Sequence, residues 1–295
     1  MKPARLHAPG FDLKLTLESG QVFNWHTHDD GFVGLIADRP ARIEQRDDWL
    51  FIEGVTPETV VHHFALDHPM AEILDSFPED EAMRAATAAC PGLRIMRQPM
   101  WECLGTFITS SMKQVPHIRK MSAAVRELWG VGVDSPWRPL FSYPTPDKLA
   151  SASEADLRAC GLGFRAPNLL GTARMISEGS VKLDQLASLS DDEARAELCK
   201  LPGVGEKVAN CVLLFSCERM AAVPIDVWIG RVLREKYFVR KRKVTASRLR
   251  DFADSYFGPY AGYAQQFLFH HARTTARKKC RDNVRINTSP LPHVH

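Results

Sequence analysis

The 295-residue sequence contains no apolar run long enough to cross a membrane, and residues 1–5 lack the apolar core of a signal peptide. Its seven cysteines are odd in number and scattered along the chain. They therefore indicate neither a disulfide framework nor a metal cluster. These absences argue against a membrane protein and a disulfide scaffold. They predict a cytoplasmic, nucleoid-associated location and no metal site.

Charge is distributed unevenly, although the net charge is only +3. Residues 1–90 carry 7 Lys and Arg against 16 Asp and Glu, whereas residues 219–285 carry 16 against 5. The densest basic runs are residues 240–243 and 277–281. Such runs are often only solvated faces, but they are also typical of nucleic-acid-binding surfaces.

The first 55 residues alternate between apolar and polar side chains, as half-buried strands do. Turn residues such as Ser19-Gly20 and Asp47-Asp48 separate the alternating segments. The pattern predicts an antiparallel sheet with strands over residues 11–17, 32–37, 41–45 and 49–53.

From about residue 57 the apolar spacing becomes helical. The predicted helices cover residues 57–65, 79–89, 101–113, 116–129, 146–150, 153–160, 165–178, 190–200, 206–217, 227–237, 245–256 and 260–273. A loose tail is expected over residues 283–295. The length and the 45% hydrophobic content allow about two domains. We predict an α+β fold, in which an N-terminal antiparallel β-sheet domain with flanking helices (residues 1–92) packs on a larger all-helical domain (93–295).

A glycine-rich turn, residues 201–206, separates two of the predicted helices. Gly203, Val204 and Gly205 form a tight Gly-x-Gly hairpin that exposes backbone N–H groups beside a helix N-terminus. Such groups bind anions, so the hairpin is suited to holding a phosphate.

Lys207 starts the helix after this hairpin, and Asp226 follows nineteen residues later at a predicted N-cap. Alone, each residue has an ordinary explanation, as a surface lysine and as a helix cap. Together, an amine and a carboxylate can supply a nucleophile for a sugar carbon and a charge that stabilises a sugar cation.

Two helical patterns place further side chains together. Lys207, Cys211 and Leu214 fall along one side of a helix, beside an apolar stripe of Val208, Val212 and Phe215. Gln265 and Phe269 share an i, i+4 relation, so an amide and an aromatic ring could meet one planar ligand. Both patterns are also common in ordinary cores.

Taken together, these residues resemble the 8-oxoguanine DNA glycosylase/AP lyase family of the helix-hairpin-helix glycosylase superfamily. The resemblance covers nearly the whole chain. It rests on residues 17–25 (LESGQVFNW), 102–104 (ECL), 107–111 (FITSS), 162–166 (LGFRA), 201–207 (LPGVGEK), 223–227 (VPIDV) and 258–265 (GPYAGYAQ).

This resemblance implies a DNA repair enzyme that flips a damaged nucleotide out of the duplex and excises the base. It implies that Lys207 attacks C1′ and forms a Schiff base, while Asp226 stabilises the oxocarbenium ion. Strand cleavage then follows at the abasic site.

The resemblance also assigns the base pocket. It implies that Cys211 and Phe269 sandwich the purine, that Gln265 binds its Watson–Crick edge, and that Pro224 forms a wall beside the catalytic aspartate. The backbone carbonyl of Gly20 would accept the N7 hydrogen that 8-oxoguanine has and guanine lacks.

The chain departs from the family pattern mainly where the opposite strand would lie. Met112 stands where the family has an asparagine, His117 where it has an arginine, and Phe164 where it has a tyrosine. Arg165 is retained. Trp228 replaces a histidine that would contact a phosphate. We therefore expect weakened reading of the opposing cytosine and intact catalysis.

The implied partner is double-stranded DNA containing oxidised guanine, bound by a monomer. No organic cofactor is implied, although a cation bound at the hairpin could help it bind a phosphate. Two other functions remain open at this point: an alkylated-base glycosylase without the lysine chemistry, and a non-catalytic helix-hairpin-helix DNA-binding module.

Overall fold

A computed structural model describes residues 3–239 and 243–287, with side chains described up to residue 276. The basic residues 240–242 and the side chains of 277–281 lie outside these described residues, as do residues 288–295 of the expected tail. Within the described ranges, no helix combines the length and the apolar character needed to cross a bilayer.

The N-terminal part is a five-stranded antiparallel sheet in the order β1-β5-β4-β3-β2. Its strands are β1 (Ala4–His7), β2 (His26–His28), β3 (Gly31–Ile36), β4 (Arg39–Arg46) and β5 (Trp49–Glu53). Ile43 pairs with Ile52, and both are buried in the sheet's own core. The predicted antiparallel sheet is thereby confirmed.

One predicted strand is wrong. Residues 11–17 do not form a strand; instead, α1 runs from Leu13 to Glu18. The Asp12 side chain caps this helix by accepting a hydrogen bond from Leu15 N at 2.7 Å. Leu13, Thr16 and Leu17 are the buried positions. Their i, i+3, i+4 spacing suits a helix as well as the alternation of leucines suited a strand.

The rest of the chain is helical apart from a small hairpin of β6 (Gly132–Val133) and β7 (Leu140–Phe141). The α-helices are α2 (Pro57–His63), α3 (Met70–Asp75), α4 (Glu81–Ala89), α5 (Met100–Ser110), α6 (Val115–Trp129), α7 (Pro146–Ala150), α8 (Glu154–Leu157), α9 (Ala166–Ser177), α10 (Asp191–Leu198), α11 (Glu206–Ser216), α12 (Val227–Tyr237), α13 (Ala246–Tyr256) and α14 (Ala261–Asn287).

Most predicted helices match these bounds within two residues, and both domains of the predicted α+β fold are present. The start of the predicted loose tail is wrong, because α14 continues through residues 283–287. No glycine or proline interrupts the sequence between Gly262 and Pro290, so nothing local ends the helix earlier.

The helices share a large core that also takes in α3 and α4. Ile73 and Met83 are buried in it, and the Phe77 ring lies 5.5 Å from the Phe267 ring of α14. Helix α4 and the segment with Phe77 before it therefore pack against the C-terminal helix, although they precede residue 92 in the chain. The proposed division at residues 92 and 93 stays a prediction.

The buried side chain of Gln21 joins the end of α1 to the segment that leads into α5. Its amide nitrogen donates to Arg94 O at 2.8 Å and to Ser19 Oγ at 2.9 Å, and its Oε1 accepts from Met96 N at 2.7 Å. These bonds hold the backbone around residue 20 against the larger domain.

We expect Gln21→Ala to lower the free energy of unfolding by about 2–4 kcal/mol, because it leaves buried backbone groups without partners. Urea denaturation measures this change. Gln185→Ala, at an exposed glutamine, is the control and should change stability by less than about 0.5 kcal/mol. Equal effects of the two changes would contradict a structural role for Gln21.

Candidate active site

A cavity of about 350 Å³ opens between the segment after α1 and the helical domain. Its walls come from five parts of the chain, namely the segment around Gly20, α5 with the start of α6, α11, the start of α12, and α14. The side chains that line it include Phe107, Ser110, Lys207, Cys211, Phe215, Pro224, Asp226, Trp228, Gln265, Phe269 and Arg273.

Lys207 lies in the first turn of α11 and points into this cavity. Its ammonium group donates to Ser110 Oγ at 3.3 Å and lies 4.8 Å from the centroid of the Phe107 ring. Phe107 in turn stacks on Phe215, with ring centroids 5.4 Å apart. A hydroxyl and an aromatic face therefore hold the amine against one wall of the cavity.

Asp226 caps α12 from the same cavity. Its Oδ1 accepts from Ile229 N at 2.8 Å. Burial raises the pKa of the Asp226 carboxyl, while the Ile229 N–H and the nearby Lys207 charge oppose that shift. Both the cap and the cavity interpretation of this residue are therefore consistent with its position. A desolvated carboxylate responds strongly to any positive charge that develops beside it.

The face of α11 that meets the cavity differs by one residue from the predicted face. Lys207, Cys211 and Phe215 line the cavity, and Leu214 does not. Leu214 packs against α14, where a Cβ placed on Gly262 would lie 2.3 Å from Leu214 Cδ1. The residues of α11 that line the cavity therefore follow a strict i, i+4, i+8 series, whereas the i+7 position, Leu214, faces the neighbouring helix.

The predicted base-binding residues meet in the cavity. Gln265 and Phe269 enter from α14, and Cys211 enters from α11. Gln265 is buried, and its Oε1 has no hydrogen-bond partner among the residues that the structure describes. Burial raises the pKa of the Cys211 thiol to about 11, so that side chain is a neutral, apolar surface at pH 7.

Gly20 brings its backbone close to α14, where a side chain would be crowded and its positive φ favours glycine. Its φ is +94°, and a Cβ there would lie 3.3 Å from Phe269 Cε1 and 3.0 Å from Arg273 Nη1. On either side, the carbonyl of Glu18 accepts from Arg273 and the carbonyl of Gln21 accepts from Gln98. The backbone at Gly20 is therefore fixed and exposed to the cavity.

Pro224 lies beside Asp226 in the wall of the cavity. Asn210 holds this segment by donating from Nδ2 to Val223 O at 2.9 Å. The hairpin residues Gly203 and Gly205 are exposed outside the cavity, with Gly203 at φ +76° and Val204 N bonded to Leu201 O at 3.1 Å. The hairpin is thus a separate surface from the pocket.

The four residues assigned to the opposite strand do not behave alike. Met112 is 88% exposed at φ +55°, and Phe164 is 57% exposed. His117 is exposed in the first turn of α6. Arg165 is buried instead, and its guanidinium donates from Nε to Ser111 O at 2.7 Å. Arg165 thus holds the turn that presents Met112, and its reading of a base stays a prediction.

Sequence reasoning assigned no site role to several cavity residues. Phe107 and Ser110 contact Lys207 from nearly one hundred residues away, and no local pattern signals that contact. Arg273 was detectable, because it extends the i, i+4 series of Gln265 and Phe269 by one more step.

Two family models match the chain. They describe the 8-oxoguanine DNA glycosylase N-terminal domain, over residues 5–104, and the HhH-GPD superfamily base excision DNA repair protein, over residues 107–254.

Individual proteins give the same result. A probable N-glycosylase/DNA lyase of Methanothermobacter thermautotrophicus is 28% identical over 91% of this chain and 96% of its own length. The N-glycosylase/DNA lyase OGG1 of Arabidopsis thaliana is 30% identical over 90% and 79%, respectively. The structure of Clostridium acetobutylicum 8-oxoguanine glycosylase/lyase, bound to DNA with cytosine opposite 8-oxoG, superimposes with a TM-score of 0.85 at 31% identity, covering 90% of this chain and 93% of that one.

We expect Asp226→Asn to be as stable as the native protein or more stable at pH 8, because asparagine also caps helices and carries no desolvated charge. The raised pKa of Asp226 means that its ionised form is disfavoured by folding. The native protein therefore loses stability as the pH rises through that pKa, and the advantage of the variant should shrink as the pH falls.

Thermal unfolding over a series of pH values from 8 down to about 4, near the ordinary pKa of an aspartate, measures this difference. Asp12→Asn is the matched control, since Asp12 also caps a helix but lies outside the cavity. A variant that is less stable than the native protein at pH 8 would show that Asp226 serves mainly as a cap.

Proposed function

The chain belongs to the 8-oxoguanine DNA glycosylase family of the helix-hairpin-helix superfamily, and from that premise we propose that Lys207 is the nucleophile with which it excises 8-oxoguanine from DNA. The enzyme is a bifunctional glycosylase and AP lyase. The observation that carries the assignment of Lys207 is a lysine amine and a buried carboxylate in one cavity large enough for a purine.

The proposed reaction begins when the Lys207 ammonium group loses a proton to solvent and the resulting amine forms a bond to C1′ of the flipped nucleotide. The bond between C1′ and the base breaks, and the base leaves with its electron pair and takes up a proton. Opening of the sugar ring then gives a Schiff base between Lys207 and C1′. Loss of a C2′ proton expels the 3′ phosphate, which cleaves the strand, and water finally releases the lysine.

Asp226 is proposed to stabilise the positive charge that develops on the sugar in this step. Its carboxylate is already oriented by the Ile229 N–H, so it needs no reorganisation when the charge appears. Because burial has removed much of its solvent, the attraction to a sugar cation is stronger than in water.

The base is proposed to lie between the Cys211 thiol and the Phe269 ring, with Pro224 at its side. The Oε1 atom of Gln265 is buried without a described partner, so it would accept a hydrogen bond from the N–H groups on the Watson–Crick edge. A base that supplies those donors removes the unfavourable burial of that oxygen.

Gly20 is proposed to separate the lesion from guanine. Its carbonyl would accept the N7–H of 8-oxoguanine, whereas the N7 of guanine is itself an acceptor and would repel it. The fixed backbone on both sides of Gly20 supports this role, because a mobile carbonyl would turn away from guanine.

The remaining contacts are proposals of the same kind. Backbone N–H groups of Gly203, Val204 and Gly205 would bind a DNA phosphate, with a cation completing that grip. The lysine chemistry requires no organic cofactor. We propose a monomer that acts on duplex DNA in the cytoplasm, associated with the nucleoid.

We expect Lys207→Gln to bind lesion DNA but to lose strand cleavage and borohydride trapping, because an amide cannot form a Schiff base. The measurement is borohydride trapping on a duplex with 8-oxoguanine opposite cytosine. Lys200→Gln is the control, since Lys200 lies beside the hairpin but pairs with Glu197.

The same assay tests the alternatives. Base release by the native protein without trapping would indicate chemistry of the alkylated-base type, and binding alone would indicate a DNA-binding module. Trapping of Lys207→Gln at the native level would show that another amine is the nucleophile.

We also expect relaxed selection of the base opposite the lesion. Met112 has no hydrogen-bond donor, and its exposed apolar side chain suits a wedge that fills the gap left by the flipped base. His117 lacks the fixed fork of an arginine. Each lost contact should remove about 1–3 kcal/mol of discrimination. Excision opposite adenine, guanine or thymine should then approach the rate opposite cytosine more closely than in a relative that has the asparagine and the arginine at these two positions as well as the arginine retained here as Arg165.

Met112→Asn combined with His117→Arg should restore the cytosine preference. Asparagine tolerates the positive φ at residue 112, so the exchange should not destabilise the turn. Met112→Leu, which keeps an apolar wedge, is the matched control. Single-turnover excision from the four duplexes gives the result, and a strong cytosine preference in the native protein would contradict the expectation.

A further inference from the structure

A cation lies beside the mouth of the cavity, one turn into α12. The guanidinium carbon of Arg231 lies 5.5 Å from the centroid of the Trp228 ring, and Trp228 lines the cavity. Arg231 itself is exposed. The indole therefore holds a solvent-facing guanidinium at the edge of the site.

No carboxylate whose side chain the structure describes forms an ion pair with Arg231. Glu235, one turn further along α12, is not bonded to it. Arg234 differs, because its Nη1 donates to Gly230 O at 2.9 Å. Arg231 is thus the α12 arginine whose charge is both oriented and available to a ligand.

The geometry of base flipping indicates which ligand group would lie next to Arg231. A nucleotide that rotates about its own backbone carries its base into the cavity but leaves its flanking phosphates at the entrance. Arginine binds phosphate through two parallel N–H donors, and a stacked guanidinium has less freedom to lose on binding.

We infer that Arg231 binds a phosphate next to the flipped nucleotide and that Trp228 is the residue that positions it. This inference rests on the proposed function, because it requires a nucleotide flipped into the cavity. It assigns to Trp228 an indirect role in phosphate binding, through the orientation of Arg231 rather than through a contact of its own.

The test is the salt dependence of binding by the full chain to a duplex with a tetrahydrofuran abasic analogue, compared with an undamaged duplex. Each phosphate contact accounts for about a 3-fold loss of affinity between about 50 and 200 mM salt. The affinity advantage of the native protein over Arg231→Ala should therefore shrink about 3-fold over this range on the tetrahydrofuran duplex. It should not change on the undamaged duplex, where no nucleotide is flipped.

Three further variants separate charge, orientation and general effects. Arg231→Lys should keep the native salt dependence, because it keeps the charge. Trp228→Leu should bind the tetrahydrofuran duplex more weakly than the native protein but no more weakly in an Arg231→Ala background, since Trp228 acts through the alignment of Arg231. Arg234→Ala is the matched control on the same helix and should behave like the native protein.

If the affinity advantage of the native protein over Arg231→Ala on the tetrahydrofuran duplex does not vary with salt, the inference is overturned. An equal change on both duplexes would also overturn it, because Arg231 would then be a general backbone contact. Borohydride trapping of the native protein on 8-oxoguanine DNA tests the proposed function independently, so failure of that function is distinguishable from failure of the Arg231 assignment.

Discussion

The cavity exists because the backbone around Gly20 is pressed against α14. A side chain at residue 20 would crowd Phe269 and Arg273 and would be strained at the positive φ, so glycine favours this close approach. Arg273 and Gln266 of α14 bind the carbonyls of Glu18 and Ser19, and Gln21 binds the segment before α5. These bonds close one wall of the pocket with backbone, and backbone presents a hydrogen-bonding group at a fixed place that a flexible side chain would not.

Within the cavity, the Lys207 amine and the Asp226 carboxylate are held in different ways. Ser110 and the Phe107 ring hold the Lys207 amine, and the first turn of α12 holds the Asp226 carboxylate. Burial disfavours the ionised form of Asp226, so this carboxylate lowers the stability of the folded protein. The same burial strengthens its attraction to a substrate cation. The same desolvation therefore explains both a local stability cost and the proposed chemistry.

Three departures from the family pattern, Met112, His117 and Phe164, fall outside the lining of this cavity. Met112 and Phe164 present apolar surfaces to solvent, while Arg165 is turned inward to Ser111 O. The surface proposed to face the opposite strand thus offers apolar shape more than hydrogen-bond donors. At the other edge of the cavity, the guanidinium group of Arg231 packs against the Trp228 ring. Contacts with DNA can be redistributed among neighbouring residues in this way, because phosphates require charge and reach rather than one fixed partner.

The sequence by itself determined the features that local interactions control. Strand β5 and helix α12 begin and end where alternation and capping predict, since each pattern is complete within a few residues. The strand prediction for residues 11–17 was wrong because their apolar residues fit both periods, and the Asp12 cap together with burial of Leu13 and Leu17 in the sheet's core favours the helix. Tertiary structure decided three features. It placed Phe215 on the face of α11 that lines the cavity, brought Ser110 into contact with Lys207, and turned the Arg165 side chain inward to Ser111 O. Those contacts join residues far apart in the chain, and which helix face meets which neighbour depends on the packing of all the helices at once.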